Sequence, residues 1–170
     1  TAATHTAVLM DKDWKVLRPA ILWTDRRSAP ECDELNAAHG EEIFKISFHK
    51  PSPTWTMPQL LWIRKNEPEV FEKTEYILFA KDYLRYKLTG MWDTDVIDAQ
   101  GAMLVDYSTL QWSDALCGYI GLPMRKLPPI KDTLDISGPI TAAGAKLFNV
   151  PEGVPVVMGG SDTALEDYGS

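Results

Sequence analysis

Short apolar runs alternate along the chain with segments that have helical spacing. β-Branched and aromatic residues dominate these runs, a composition typical of buried strands. A polar turn at residues 10–13 predicts a β-hairpin from residues 6–9 and 15–17. Strands that alternate with helices indicate the α/β class. The other predicted strands cover residues 19–23, 76–79 and 154–158.

Capping signals place the helices between these strands. A capping box that begins at Ser28 predicts a helix over residues 29–38, which is expected to stop near Gly40. A second box, which begins at Thr56, predicts a helix that ends before Pro68. Further helices are predicted over residues 82–88, with apolar side chains in the core, after residues 112–114, and over residues 142–147.

The composition excludes several classes of protein. Of the 170 residues 45% are hydrophobic, which is enough for a sizeable core and argues against disorder. A formal charge of -7 and a pI near 4.9 disfavour nucleic acid and anionic membranes as partners, because neither surface attracts an acidic protein. The chain has no signal peptide and no apolar run of about eighteen residues, so we expect a soluble protein.

The cysteines and the two ends of the sequence indicate where the chain belongs. Cys32 and Cys117 lie in separate helix-like segments without metal-ligand spacing, so buried free thiols in a reducing cytoplasm are expected. The chain begins at Thr1 without a methionine and ends at Ser170, where a predicted helix has just begun. We therefore expect a piece of a longer cytoplasmic protein.

Three acids, Asp93, Asp95 and Asp98, lie close together with no basic residue between them. Carboxylates are good ligands for divalent cations, but the spacing differs from the calcium-binding loop and the closing glutamate is absent. A solvated loop is the favoured interpretation, and we predict no metal site in this chain.

The predicted strand over residues 154–158 is followed by two glycines and an acid. Gly159 and Gly160 give the backbone freedom and leave room for a ligand to approach closely. Asp162 then lies where open α/β sheets bind ligands, although an aspartate here would also cap a helix well. On these residues alone both interpretations stay open.

Asp25 also follows a predicted strand and precedes a predicted helix. Such a turn can bind a ligand, yet an aspartate beside Arg26 and Arg27 is as often part of an ion pair that holds the loop. The two interpretations have equal weight.

Four segments occur in an order that is recognisable: residues 17–27 (LRPAILWTDRR), 60–68 (LLWIRKNEP), 81–90 (KDYLRYKLTG) and 159–162 (GGSD). Together they resemble the N-terminal domain of the FGGY family of carbohydrate kinases, particularly its xylulokinase-like branch. The resemblance implies that residues 1–170 are a ribonuclease-H-like domain of the actin and sugar-kinase superfamily. It also implies that the first phosphate loop and a C-terminal ATP domain lie outside this chain.

The resemblance implies roles for individual residues. Asp162 matches the family's general base, which takes the proton of the acceptor hydroxyl during phosphoryl transfer from ATP. Thr4, His5 and Thr163 match contacts to a sugar or polyol, and Asp25 is added as a candidate contact. Gly159 and Gly160 are candidates for cofactor binding, whereas ATP and Mg²⁺ are expected to be held mainly by parts absent from this chain.

Some matched positions depart from the family pattern, so alternatives stay open. The xylulokinase-like members carry methionine at Thr4 and usually asparagine at Thr163, whereas glycerol kinases have Arg-Glu in place of Thr4 and His5. A xylulose-like ketose is the expected substrate. A kinase for another polyol such as glycerol or erythritol, or a catalytically impaired sugar-binding module, is the alternative, and we expect the isolated fragment to be inactive. A homodimer is one open oligomeric state.

Overall fold

The computed structural model describes residues 3–169, in which short strands pair two by two. Strands β1 and β2 are antiparallel, with Ala7 opposite Phe79 and Met10 opposite Tyr76. Both are buried on nearly every side chain, which explains their continuous apolar sequences. The strands are β1 Ala7–Met10, β2 Tyr76–Phe79, β3 Thr94–Asp95, β4 Val105–Asp106, β5 Gln111–Trp112, β6 Ile130–Lys131, β7 Ile136–Pro139 and β8 Pro155–Val157.

Helices surround these pairs and alternate with them along the chain. Strands β3 and β6 pair in parallel, whereas β4 with β5 and β7 with β8 are antiparallel. The model is thus mixed α/β, as predicted. The helices are α1 Ala29–Ser47, α2 Thr56–Asn66, α3 Pro68–Lys73, α4 Ala80–Thr89, α5 Val96–Gly101, α6 Asp114–Tyr119, α7 Ala142–Phe148 and α8 Asp162–Gly169, with a 3₁₀ turn at Met124–Lys126.

The main core lies between the strands β1 and β2 and the helices α1, α2 and α6. Leu35 and Ile43 of α1 meet Met57 and Leu60 of α2 there, and all four side chains are almost fully buried. Cys32 and Cys117 are buried free thiols, as predicted. Among residues 3–169, no helix is both long and apolar enough to cross a membrane.

Predictions based on local signals are confirmed in several places. Strand β2 has the predicted bounds, and Gly90 ends α4 with a left-handed conformation at φ 75°. Helices α6 and α7 begin at Asp114 and Ala142, as predicted, and the side chains of Ser113 and Thr141 cap them. These elements were predictable because each boundary depends on residues close to it in the sequence.

The predicted strand over residues 19–23 is wrong. Leu22 and Trp23 are more than half exposed, and only Ile21 enters the core. The backbone turns here instead, with the Asp25 amide donating to the Leu22 carbonyl.

The predicted hairpin is only partly correct. Its second arm forms a single bridge from Val16 to Met10, and β1 pairs mainly with β2.

Two other predictions need correction. Helix α1 continues through Gly40 to Ser47, since burial of its apolar face outweighs the weak helix propensity of one glycine. The Ser28 side chain makes no capping hydrogen bond. Strand β8 exists, but Val154 and Val157 are exposed, because among the described residues only one neighbouring strand pairs with it.

Candidate active site

An open pocket of about 290 Å³ collects four of the residues predicted as site residues. Thr4 and His5 reach it from the segment before β1, whereas Asp162 and Thr163 reach it from the first turn of α8. The fold therefore joins two segments that lie 158 positions apart in the sequence. The pocket is lined by Thr4, His5, Trp23, Thr54, Asp162 and Thr163.

Asp162 is the first residue of α8, and the helix is capped by its neighbour. The Ser161 hydroxyl accepts a hydrogen bond from the Ala164 amide at 3.3 Å, so capping does not require Asp162. The Asp162 Oδ1 atom accepts hydrogen bonds from Thr4 Oγ1 at 2.7 Å and from the Thr163 amide at 2.9 Å. The Asp162 carboxylate is thus available to face the pocket.

Asp162 is ionised at neutral pH. The hydrogen bond from Thr4 lowers the pKa of Asp162 below its ordinary value, and the Thr163 amide adds to this effect although partial burial opposes it. The position at a helix N-terminus favours the same charge. An ionised carboxylate beside a pocket can accept a proton from a bound hydroxyl.

His5 is held in an unusual backbone conformation at the base of the pocket. Its φ of 47° lies in the left-handed region, which histidine tolerates better than most residues. The His5 amide donates to Asp98 Oδ1 at 2.9 Å, and the His5 carbonyl accepts from the Thr56 hydroxyl. The ring lies 5.0 Å from that of Trp55. Burial lowers the pKa of His5 to about 4, so the imidazole is neutral near pH 7.

Gly101 is needed because Thr4 and His5 press against it. A Cβ atom at Gly101 would lie 2.9 Å from His5 Cδ2 and 3.1 Å from Thr4 Cγ2. Distances this short would force both side chains to move. The absence of a side chain at Gly101 therefore sets how deeply these two residues sit.

Gln59 holds the two loops that form the other side of the pocket, a role that the sequence reasoning missed. Its Nε2 atom lies 3.0 Å from the Pro53 carbonyl, 3.4 Å from that of Thr54 and 3.5 Å from that of Leu22. Trp23 and Thr54, which line the pocket, lie in these loops. The capping box predicted at Thr56 and Gln59 is wrong, because α2 has no side-chain cap and Gln59 donates to these carbonyls instead.

Asp25 does not line the pocket in the described structure. It forms a two-point ion pair with Arg27, whose Nη2 and Nε atoms lie 2.8 Å and 3.0 Å from Asp25 Oδ2. These bonds lower the pKa of Asp25. The geometry supports the loop-holding interpretation, and a substrate contact from Asp25 stays a prediction.

Glycine is required at positions 159 and 160, shortly before Asp162, for different structural reasons. Gly159 has a φ of 71°, a conformation that other residues rarely adopt. Gly160 is buried, and a Cβ atom there would lie 3.2 Å from Ile97 Cδ1. Both therefore shape the turn into α8, and their role in cofactor binding stays a prediction.

The three acids between residues 93 and 98 are buried, so the prediction of a solvated loop is wrong. Asp93, Asp95 and Asp98 are at most 1% exposed. Their neutralising bases are Lys81 and Arg85 of α4 and, for Asp93, also Lys131 of β6, which explains why the segment itself contains none. The predicted apolar core face of α4 is only partly correct, because Tyr83 packs against apolar residues but Leu84 is exposed and most of the buried side chains of the helix are charged. We call Lys81, Asp82, Arg85, Asp93, Asp95 and Asp98 the buried ionic cluster.

Lys81 occupies the centre of the buried ionic cluster. Its Nζ atom lies 2.5 Å from Asp82 Oδ1, 2.6 Å from Asp95 Oδ2 and 3.3 Å from Asp98 Oδ2. The three carboxylates are close enough to hold a divalent cation, but the ammonium group fills that position. These residues therefore do not fit Mg²⁺. Burial lowers the pKa of Lys81, but the three acids outweigh it, so the pKa rises above its ordinary value.

The buried ionic cluster also connects the two segments that carry the pocket. Asp98 accepts the His5 amide on one side. On the other side, Arg85 Nη1 donates to the Met158 carbonyl at 2.9 Å, just before the turn that leads to Asp162. The spacing of Lys81 and Arg85, four positions apart on one helix, beside a segment of unpaired acids, was the sequence signal for this arrangement.

Solved sugar-kinase structures superpose on this fold, which is therefore an α/β domain of the actin-like sugar-kinase class. Residues 1–169 match the model of the FGGY family of carbohydrate kinases, N-terminal domain. The chain belongs to this family, which confirms the resemblance predicted from the four sequence segments.

Individual relatives agree with this assignment. The chain is 34% identical over 166 residues to a xylulose kinase from Bacillus subtilis, covering 98% of this chain and 33% of the relative. It is 38% identical over 165 residues to one from Escherichia coli, covering 97% and 34%. A xylulose kinase structure from Rhodospirillum rubrum superposes with a TM-score of 0.90 at 29% identity, covering 95% and 34%. The chain thus spans about a third of the length of these relatives.

Proposed function

We propose that this chain is the sugar-side domain of an ATP-dependent kinase that phosphorylates a hydroxyl group of a xylulose-like ketose. The observation that carries the proposal is the meeting of Asp162 with Thr4 and His5 in one open pocket. The names of the relatives support the choice of sugar. The proposed domain ends, residues 1 and 170, lie outside the described residues.

In the proposed reaction Asp162 acts as the general base. Its carboxylate takes the proton of the acceptor hydroxyl while that oxygen bonds to the γ-phosphorus of ATP. The bond from this phosphorus to the oxygen it shares with the β-phosphate breaks, and ADP leaves. ATP and Mg²⁺ would be held mainly by parts of the protein outside this chain, since the three carboxylates around Lys81 do not fit the metal.

The other pocket residues suit a polyhydroxylated substrate. A neutral His5 ring has one donor and one acceptor nitrogen, and the Thr163 hydroxyl can donate and accept. The Thr4 hydroxyl, whose hydrogen is donated to Asp162, can accept a hydrogen bond from the sugar. Thr163 is short and exposed, which favours a second candidate, a kinase for another polyol such as glycerol or erythritol. A cytoplasmic location and a homodimer remain predictions.

The substrate is tested by assaying the full-length protein with ATP and a panel of D-xylulose, other ketoses, glycerol and erythritol. We expect kcat/KM to be highest for D-xylulose, by at least about tenfold, because one well-placed polar contact gives this discrimination. Preference for glycerol or erythritol would support the second candidate. Sugar binding without ADP production would instead support the catalytically impaired module.

Gln59→Leu in the full-length protein should raise KM for the sugar about tenfold and leave kcat nearly unchanged. Leucine is similar in size but cannot hold the Pro53 and Thr54 carbonyls, and a lost hydrogen bond to a buried acceptor costs about 1 to 3 kcal/mol. In the variant, the loop that carries Thr54 would become ordered only when the sugar binds. The free energy needed to order it would weaken sugar binding. Steady-state kinetics measures both constants.

Two further variants make this prediction specific. Gln59→Lys keeps a donor at the same place and should recover most of the affinity. Gln111→Leu changes an exposed residue of β5 and should leave KM unaltered. A wild-type KM in Gln59→Leu would show that the residue does not order the pocket.

A further inference from the structure

A direct hydrogen bond joins Thr4 to Asp162 across the pocket. The Thr4 Oγ1 atom lies 2.7 Å from Asp162 Oδ1. An ionised carboxylate can only accept hydrogen bonds, so the threonine hydroxyl must be the donor. The orientation of this hydroxyl is therefore set by Asp162, and the two side chains constrain each other.

Thr4 is itself held firmly. Its methyl group packs on Gly101, where a Cβ atom would lie only 3.1 Å from Thr4 Cγ2. A β-branched side chain has few rotamers, so this contact restricts χ1 further. The next residue, His5, is fixed through its amide by Asp98 and through its carbonyl by Thr56. Thr4 thus presents its hydroxyl from a rigid support.

The Asp162 carboxylate needs such an anchor. The terminal torsion of aspartate has a broad energy profile, so a half-buried carboxylate rotates easily unless it is held. Thr4 Oγ1 and the Thr163 amide, at 2.7 Å and 2.9 Å, both donate to the same oxygen, Oδ1. Two donors on one oxygen make the two carboxylate oxygens inequivalent.

We propose that Thr4 is a positioning residue for the general base: its hydroxyl anchors Oδ1 of Asp162, and Oδ2 takes the proton of the substrate hydroxyl. This inference rests on the proposed function, in which Asp162 is the base. It gives Thr4 a role distinct from the direct sugar contact implied by the family resemblance.

The anchor has two consequences for the reaction. A fixed carboxylate meets the substrate hydroxyl in a productive geometry, and small misplacements of a catalytic group lower rates strongly. The donated hydrogen bond also lowers the pKa of Asp162, which keeps the base ionised in mildly acidic solution. Loss of the Thr4 hydroxyl should therefore raise this pKa and shift the acid limb of the pH–rate profile to higher pH.

The test compares Thr4→Val, Thr4→Ser and the wild type in the full-length protein with ATP and the best sugar of the panel. Thr4→Val removes the hydroxyl without changing the shape, and it should lower kcat about 10- to 100-fold. The acid limb of its kcat/KM profile should move to higher pH. Thr4→Ser keeps the donor and should retain the wild-type limb and most of kcat.

Thr6→Val is the matched control. Thr6 is a buried threonine two positions away, and its hydroxyl has no hydrogen-bond partner among the described residues. This variant should keep the wild-type acid limb. The inference would be overturned if Thr4→Val kept the wild-type kcat and acid limb of the pH–rate profile. It would also be overturned if Thr4→Ser lost both. Full activity in Asp162→Asn would instead overturn the proposed function, so the two failures are distinguishable.

Discussion

Asp162→Asn in the full-length protein should lower kcat for the sugar about 100- to 10,000-fold, the usual contribution of general-base assistance. Asparagine has nearly the same shape, and its carbonyl oxygen can still accept the hydrogen bond from Thr4 and that from the Thr163 amide. It cannot accept a proton at neutral pH. The variant should therefore keep its fold and lose its turnover, as measured by steady-state ADP production.

Binding measurements separate this effect from damage to the pocket. Calorimetric titration should give a Kd for the sugar within a few-fold of the wild-type value, because Asp162 is asked to act mainly in the transition state. Glu166→Gln is the matched control, since it removes an exposed carboxylate from the same helix. A kcat above a tenth of the wild-type value in Asp162→Asn would contradict the assignment of the base.

Local signals predicted much of the fold for a physical reason. Strand β2 is an apolar run, Gly90 supplies the left-handed residue that ends α4, and Ser113 caps α6 with its own side chain. Each of these effects acts within a few positions along the chain. The family resemblance then supplied what local signals cannot, namely the pairing of Asp162 with Thr4 and His5 from opposite ends of the sequence.

The wrong predictions concern positions where the structure depends on contacts between segments that are distant in the sequence. The apolar residues Leu22 and Trp23 resemble a strand, but no neighbouring strand of the described structure pairs with them. The sequence predicts that Asp95 and Asp98 are solvated, because it does not show that the packing of α4 places Lys81 against them. Burial of charge is stable only when opposite charges meet in space, and sequence spacing alone does not show this.

The buried ionic cluster therefore supports the largest stability prediction. Lys81→Met in the full-length protein should destabilise this domain by about 3 to 5 kcal/mol, because it leaves buried carboxylates without their central cation. Its melting temperature should fall by roughly 10 °C, measured by differential scanning calorimetry. Lys87→Met, at an exposed position of the same helix, is the control and should change stability by less than about 1 kcal/mol.

The pH dependence of the stability lost in Lys81→Met identifies charge as the cause of the destabilisation. Burial raises the pKa of Asp98 to about 6 from 3.8, so its ionised form costs stability above pH 6, and that cost fades as the pH falls toward 3.8. Removal of Lys81 should raise the pKa of Asp98 further, so protonation of Asp98 at pH 5 should relieve the variant more than the wild type. The difference in melting temperature between Lys81→Met and the wild type should consequently narrow from pH 7 to pH 5.

Adding Asp98→Asn to Lys81→Met should recover part of the lost stability at pH 7, since one buried charge fewer is left unpaired. An equal loss at both pH values, with no recovery in the double variant, would show that side-chain packing and not charge compensation holds Lys81 in place.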